Sequence, residues 1–347
     1  LYTAINIILA VLFFYLFVSN FYFFVFGLAY ALSSKKRTPI DAGKKHRIAV
    51  FIPSYKEDEV IVHVAKKALE QNYDSNHFRV AVIADSLQDE TLEKLYALPI
   101  ETVVVSFEKS TKSKALRAGM AKLGNKYDIA VVLDADNIMA PDFLDKINTA
   151  FADGYQVVQG HRVAKNVDSN FAVLDAASEE INNSIFRKGH RVLGLPSALI
   201  GSGMAFNYQL FRDFMANVNA VGGFDKELEL TLTREKVAIE YLEDPLVYAE
   251  KIPEKAALTN KRTRWLSAQL VYFQRFFLKA LGQLLSKANL GFFDKAIQMI
   301  LPPRVMSLGL SLLLWAAAAI NFLFFQEQLS LSFASFLWWH INLACIV

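Results

Sequence analysis

The sequence predicts an α/β domain with a mostly parallel sheet, set between membrane-spanning helices. Three observations point there. Apolar residues make up 54% of the 347 residues, with 28 Phe, above the roughly 45–50% of ordinary soluble domains. That excess collects at the two ends of the chain. Between them, short Val- and Ile-rich runs alternate with longer amphipathic stretches, the pattern of strands buried on both faces by the helices that connect them. The same numbers exclude other classes. Lys+Arg 37 against Asp+Glu 34 leaves +3, too little for a nucleic-acid binder. Disorder and a disulfide-stapled module do not fit the composition.

From Leu1 to Ser34 no residue is charged. A membrane helix needs about 20 apolar residues, so this run spans with length to spare. It is too long for a signal peptide and lacks the basic start. Lys35, Lys36, Arg37, Lys44, Lys45 and Arg47 follow at once, which marks the cytoplasmic side and orients the first helix outside to inside. Val305–Gln326 and Gln328–Val347 are two more uncharged runs around Glu327, read as two spans joined by a tight outer turn. The expected organisation is a transmembrane helix at 1–34, a cytoplasmic domain at 35–265, an amphipathic interfacial region at 266–303 and two transmembrane helices at 304–347. The expectation is an integral membrane protein of the plasma membrane with its soluble part in the cytoplasm. A start at Leu1 and an end within an apolar run suggest a longer chain with further spans. The single Cys345 rules out an intrachain disulfide and a Cys-based metal site.

In the middle, Ile48–Pro53, Val80–Asp85, Thr102–Phe107, Ile129–Asp134 and Val157–Gly160 read as strands. Asp58–Gln71, Asp89–Leu98, Ser113–Leu123 and Asp142–Phe151 read as the helices between them. In sheets of this kind ligands bind where strands end and loops begin. The first strand runs into Pro53-Ser54-Tyr55-Lys56-Glu57, the second ends at Asp85, and the fourth ends at Asp134-Ala135-Asp136-Asn137. These three acidic clusters converge if the strand order brings them side by side. Aspartates at i and i+2 suit a hard divalent cation that takes oxygen ligands, waters and substrate phosphates. Such an ion would neutralise a departing diphosphate. No GxxxxGK[ST] loop, GxGxxG or HExxH occurs after any strand, which leaves P-loop, dinucleotide and zincin readings without support. The six histidines are scattered and read as ordinary.

Taken in order, these residues resemble the membrane-embedded glycosyltransferases of family 2, the group of cellulose, chitin and hyaluronan synthases, over about 48–265. The resemblance implies a GT-A (Rossmann-like) fold, a nucleotide-sugar donor, UDP-linked, and Mg²⁺ or Mn²⁺. It also implies inversion at the anomeric carbon. Pro53–Glu57 is similar to the family's first nucleotide-binding segment, so Tyr55, Glu57 and Asp85 would hold the nucleobase. Lys112-Ser113-Lys114-Ala115-Leu116-Arg117-Ala118-Gly119 is similar to the family's GKxxALNxG, with Arg117 in place of Asn. Asp134-Ala135-Asp136 resembles the DxD motif, in which Asp134 would serve the ribose region and Asp136 the metal.

Further on, Gly201-Ser202-Gly203-Met204 resembles the glycine-bearing loop beneath the acceptor, where the backbone must approach closely. After Gly222-Gly223-Phe224 the family carries an acidic pair whose last acid is the catalytic base. Laying that pattern over Lys226–Leu230 puts Glu227 at the base. Asp244, in Leu242-Glu243-Asp244 at the end of an expected strand Val237–Tyr241, ranks second and Glu229 third. Lys261-Arg262-Thr263-Arg264-Trp265 resembles QxxRW, with Lys261 in place of Gln. Arg264 would pair with the leaving diphosphate, and Trp265 would offer its ring to the acceptor sugar. The Gln-to-Lys departure bears on processivity rather than on transfer.

Other segments read more plainly. His161, Arg162 and Lys165 read as a solvated basic patch, and Glu179-Glu180-Ile181-Asn182-Asn183, mid-domain with no periodic partner, reads as acceptor-side structure. Arg275, Lys279, Gln283 and Lys287 fall four apart on one face of a helix, read as cations turned to lipid phosphate at the membrane surface. Packing of that helix against the domain is the rival reading. The partners implied are a nucleotide-sugar donor, a glycan or lipid acceptor and membrane lipids, with no nucleic acid; an export partner is left open. Single-sugar transfer to a lipid and a non-catalytic scaffold with a decayed domain are the alternatives. An Asp-nucleophile phosphatase would carry its DxD on the first strand, not the fourth.

Overall fold

The computed structural model describes residues 2–33, 43–218, 223–250, 255–325 and 336–345. In chain order the elements are α1 (Tyr2–Ala31), β1 (Ile48–Tyr55), α2 (Ile61–Leu69), β2 (Phe78–Asp85), α3 (Asp89–Tyr96), β3 (Glu101–Val105), α4 (Lys112–Leu123), β4 (Ile129–Val132), β5 (Ile138–Met139), α5 (Phe143–Ala152) and β6 (Val157–Ala164). Then come α6 (Asn170–Asn182), a π-helical stretch (Asn183–Gly189), α7 (His190–Val192), β7 (Met204–Asn207), α8 (Tyr208–Ala216), α9 (Phe224–Arg234) and β8 (Glu240–Ala249). The chain ends with α10 (Lys255–Lys287), α11 (Leu290–Gln298), α12 (Arg304–Phe325) and α13 (Phe336–Ala344).

One eight-stranded sheet runs β3-β2-β1-β4-β7-β6-β8-β5. Strands β1 to β4 are mutually parallel, β7 and β5 antiparallel to their neighbours, and β6 parallel to β8. Because successive side chains of a strand point to opposite faces, the central strands feed two cores. Val50, Ile52, Val82 and Val131 pack under α2 and α5 on one face. Ala49, Phe51, Ile83 and Val132 pack under α4, α8 and α9 on the other. This is the mostly parallel α/β sheet expected from the alternating runs. The short strand β7 had no signal of its own, being four residues directly after a glycine loop. Strand β8 extends through Leu242–Asp244 rather than ending before it, carried past by a register shift between Gly160 and His161.

Residues 34–299 form one compact unit; residues 1–33 with 300–347 form another. Helices α10 and α11 belong to the first. Tyr272, Phe276 and Ala280, four apart, close on Leu230, Phe292 and Ala296, so α10 packs against the domain through that stripe. The polar stripe read as facing lipid is in part engaged within the domain: Arg275 donates to Glu227, and Gln283 accepts from Asn289. Helix α10 also runs unbroken through the boundary expected at 265–266.

In the second unit, Thr3–Ala31 and Arg304–Phe324 are helices long and apolar enough, by length and composition, to cross a membrane. Of the third expected span, Phe336–Ala344 is helical, and 326–335 lies outside the described residues, as do Lys35, Lys36 and Arg37. Buried polar groups in this unit satisfy one another: Asn20 donates to Ser311 and Asn342, and Ser307 donates to Asn20.

Candidate active site

The carboxyl ends of β1, β2 and β4 lie side by side, and their loops enclose a cleft of about 360 Å³. Pro53, Ser54, Tyr55, Glu57, Asp85, Lys112, Asp134 and Asp136 are among its walls. Parallel register does the placing, since Tyr55 and Asp85 are direct partners at the last rung of β1 and β2. Just past that rung Lys56 and Ser86 adopt φ of 57° and 59°, a left-handed turn uncommon for non-glycine residues and met mostly at constrained sites. Asp85 is buried, 2% exposed, and accepts from the Ser86 hydroxyl at 3.1 Å. Tyr55, half exposed, stands at the lip.

The Asp134–Asp136 segment leaves β4 and is pinned from beneath. Ser202 Oγ accepts from the Asp134 backbone N–H at 3.0 Å and from Asn137 Nδ2 at 2.6 Å. Lys112 opens α4, whose N-cap Thr111 accepts from the Lys114 N–H. Its ammonium pairs with Asp134 and donates to the Gly201 carbonyl at 2.7 Å. Three acids thus crowd one ammonium. Burial, then the charges of Asp136 and Asp134, push the Glu57 carboxyl up. Burial, then Asp134, push Asp136 up, partly offset by Arg162 and Lys112. Carboxyl groups raised by burial and neighbouring negative charge in this way favour a cation among them. The donors are all oxygens, as Mg²⁺ and Mn²⁺ prefer. Among the described residues no three His, Cys, Asp or Glu side chains converge as a cage, so an ion here would draw ligands from a diphosphate and water.

Six of the residues singled out from sequence (Tyr55, Glu57, Asp85, Lys112, Asp134 and Asp136) therefore share one cleft. Glu227 does not line it. It lies on α9, 5% exposed, and its Oε1 accepts from Arg275 Nη1 at 2.8 Å. Glu229, fully buried on the same helix, accepts from the Leu199 N–H at 2.8 Å and from Lys226 Nζ at 3.0 Å. Asp244 is exposed on β8. The side chains of Arg264 and Trp265 lie outside the described residues.

One reading of the sequence needs correcting. Arg162 is not solvated: its Nε donates to Glu179 at 2.6 Å in a largely buried pair, while His161 meets Glu180 and Lys165 meets Glu250. Glu179 is thereby tied to β6. Ser202 and Asp225 were passed over, although the glycine loop and the first turn of a helix opening after Gly223 were the places to search. Asp225 sits beside that loop: a Cβ placed on Gly201 would be 3.9 Å from its Cγ.

Comparison with known proteins bears on family and fold. The chain is 26% identical over 238 residues to the beta-monoglucosyldiacylglycerol synthase of Nostoc sp., covering 63% of this chain and 48% of that protein. It therefore spans about half the length of that relative. It is 26% identical over 123 residues to the dolichol-phosphate mannosyltransferase of Pyrococcus furiosus, covering 34% of each. The crystal structure of the mannosyltransferase PcManGT from Pyrobaculum calidifontis, in complex with GDP-Man and Mn²⁺, superposes with TM-score 0.58. It shares 16% identity and covers 100% of this chain and 99% of that one, which is a shared fold. The family model of glycosyltransferase-like family 2 matches residues 46–268, more than half of the chain, and the chain belongs to that family.

Proposed function

We propose that this chain moves a hexose from a nucleoside-diphosphate donor, UDP-linked, to the hydroxyl or phosphate oxygen of a membrane lipid, with inversion at the anomeric carbon. The observation that carries the reading is the single cleft that gathers Tyr55, Glu57, Asp85, Lys112, Asp134 and Asp136 at the carboxyl ends of three parallel strands. Tyr55, Glu57 and Asp85 hold the nucleobase and Asp134 the ribose region. Asp136, with Asp134 beside it, would hold Mn²⁺ or Mg²⁺, which when bound neutralises charge on the diphosphate. Lys112 sits on the same acids as a fixed positive charge toward the phosphates. Arg264 and Trp265 keep the roles their motif suggests, toward diphosphate and acceptor. Inversion follows from one in-line displacement assisted by one acid on α9.

A lipid acceptor is favoured over a growing polysaccharide by the names of the two relatives, one a beta-monoglucosyldiacylglycerol synthase and one a dolichol-phosphate mannosyltransferase. The two apolar helices would anchor the chain in a membrane. The test is nucleoside-diphosphate release by the protein in nanodiscs. Donors are UDP-glucose, UDP-N-acetylglucosamine, UDP-galactose and GDP-mannose, with diacylglycerol or polyprenyl phosphate as acceptor, under Mn²⁺, Mg²⁺ or chelator. Release from one donor, dependent on metal and acceptor and lost in Asp136→Ala, supports the reading. Release that persists in chelator and in Asp136→Ala removes the metal from it.

A further inference from the structure

We propose that Asp225, rather than Glu227, takes the proton from the acceptor; the assignment rests on the transferase reading above. Helix α9 begins at Phe224, and its residues 225 and 229 lie one turn apart on one face, whereas 227 points about 200° round the axis. Contacts fix which face is which. Glu229 meets Leu199, at the start of the loop that leads to Gly201–Gly203, so the face it shares with Asp225 looks onto that loop. Glu227 looks the other way and is held by Arg275 of α10.

One turn nearer the cleft, Asp225 lies over Gly201, whose φ is 82° and whose missing side chain leaves the space beside the carboxylate open. The Gly201 carbonyl is bound to Lys112, which is paired with Asp134. Lys112 Nζ also stands 5.3 Å from the ring of Phe224, the neighbour of Asp225. Asp225 does not itself line the cleft, but Lys112, which does, joins the first turn of α9 and the Gly201 carbonyl to the side of the cleft assigned to the diphosphate. Among the described residues no other side chain pairs with the Asp225 carboxylate, while Glu227 and Glu229 are both engaged. Burial pushes its carboxyl up, with Lys226 and Lys112 acting against it, the direction that suits a base.

The step balances as a single displacement. The acceptor O–H gives its proton to an Asp225 carboxylate oxygen, and the acceptor oxygen forms the new bond to the anomeric carbon. The bond from that carbon to the diphosphate oxygen breaks, and its electron pair leaves on the nucleoside diphosphate.

The experiment compares Asp225→Asn, Asp225→Glu and Glu227→Gln in nanodiscs, reading nucleoside-diphosphate release at saturating donor and, separately, UDP binding with Mn²⁺ by calorimetry. Expected is a kcat loss of about 10²- to 10⁴-fold for Asp225→Asn, with the Kd for UDP within about threefold of wild type, and partial recovery in Asp225→Glu. Turnover of Asp225→Asn within about tenfold of wild type overturns the assignment, and a large loss in Glu227→Gln alone returns the role to Glu227. A loss matched by failure to bind UDP makes Asp225 a donor-site residue and overturns it as base. Wild-type protein that neither binds UDP nor releases a nucleoside diphosphate from any donor overturns the transferase reading, and the assignment falls with it.

Discussion

Lys112 and Asp134 pair across the floor of the cleft, joining the first residue of α4 to the second residue beyond β4. Through Lys112 the pair also reaches the Gly201 carbonyl, and through the Asp134 N–H it reaches Ser202. The cleft and the glycine loop below it are thus one hydrogen-bonded assembly, which on the proposed reading would tie donor binding to the loop beside Asp225.

Lys112→Met should weaken UDP binding by about 10- to 100-fold, the loss of one charged hydrogen bond at about 1.5–3 kcal/mol. Three acids would then face one another with no ammonium among them. Calorimetric titration of UDP at fixed Mn²⁺ checks it; a change under threefold would mean that Lys112 serves the fold alone.

The Glu227–Arg275 pair is unequal, with a side chain 6% exposed against one 38% exposed. Arg275→Met takes a charged donor from a buried carboxylate and should cost about 1–3 kcal/mol of stability. Glu227→Gln leaves Arg275 an acceptor and frees it to water, so it should cost less than about 1 kcal/mol. Thermal unfolding in detergent gives the order, and a larger drop in Tm for Glu227→Gln would contradict it.

At the register shift between β6 and β8, a Cβ on Gly160 would lie 2.9 Å from the Phe143 ring and 2.9 Å from the Pro245 carbonyl. The backbone oxygen cannot swing away as a side chain can. Gly160→Ala should destabilise by about 1–3 kcal/mol through overcrowding, read as a lower Tm with UDP affinity little changed in the folded fraction.

Much of this architecture is legible in the sequence because periodicity and strand-end chemistry are local. Val- and Ile-rich runs mark β1, β2 and β4, and the polar residues that close them are those that line the cleft. What depends on which way a helix faces was not legible. The acids of α9 follow one another in the sequence, yet Asp225 and Glu229 face the glycine loop while Glu227 faces Arg275, 48 residues on. Arg162 and Glu179 look like unrelated surface charges until β6 and α6 are packed together. Helix α10 shows the same limit, since its polar stripe fitted lipid phosphate and domain packing equally until Arg275 found Glu227.

Glu229 and Lys295 are both fully buried, 3.5 Å apart, with Lys226 on the other carboxylate oxygen. Breaking such a group by removing its anion leaves two ammoniums facing each other, so Glu229→Gln should cost about 3–5 kcal/mol. Lys295→Met should be neutral or stabilising at pH 7, because Glu229 keeps Lys226 and the Leu199 N–H while one buried ammonium is gone. The pH dependence separates the two. Burial works to raise the Glu229 carboxyl, but Lys226, Lys295 and the Leu199 N–H outweigh it and hold it below its usual 4.5. Its contribution to stability is therefore present above that value and is lost as pH falls through the lower folded value. Wild-type Tm should drop on acidification, and Glu229→Gln should flatten that limb. Burial holds Lys295 below its usual 10.5 against the pull of Glu229 and Asp294. Its charge therefore opposes folding at neutral pH, and the penalty fades as pH rises toward that value. The advantage of Lys295→Met should accordingly shrink between pH 7 and pH 10. An advantage that grew with pH would show that Lys295 is held charged by its two carboxylates.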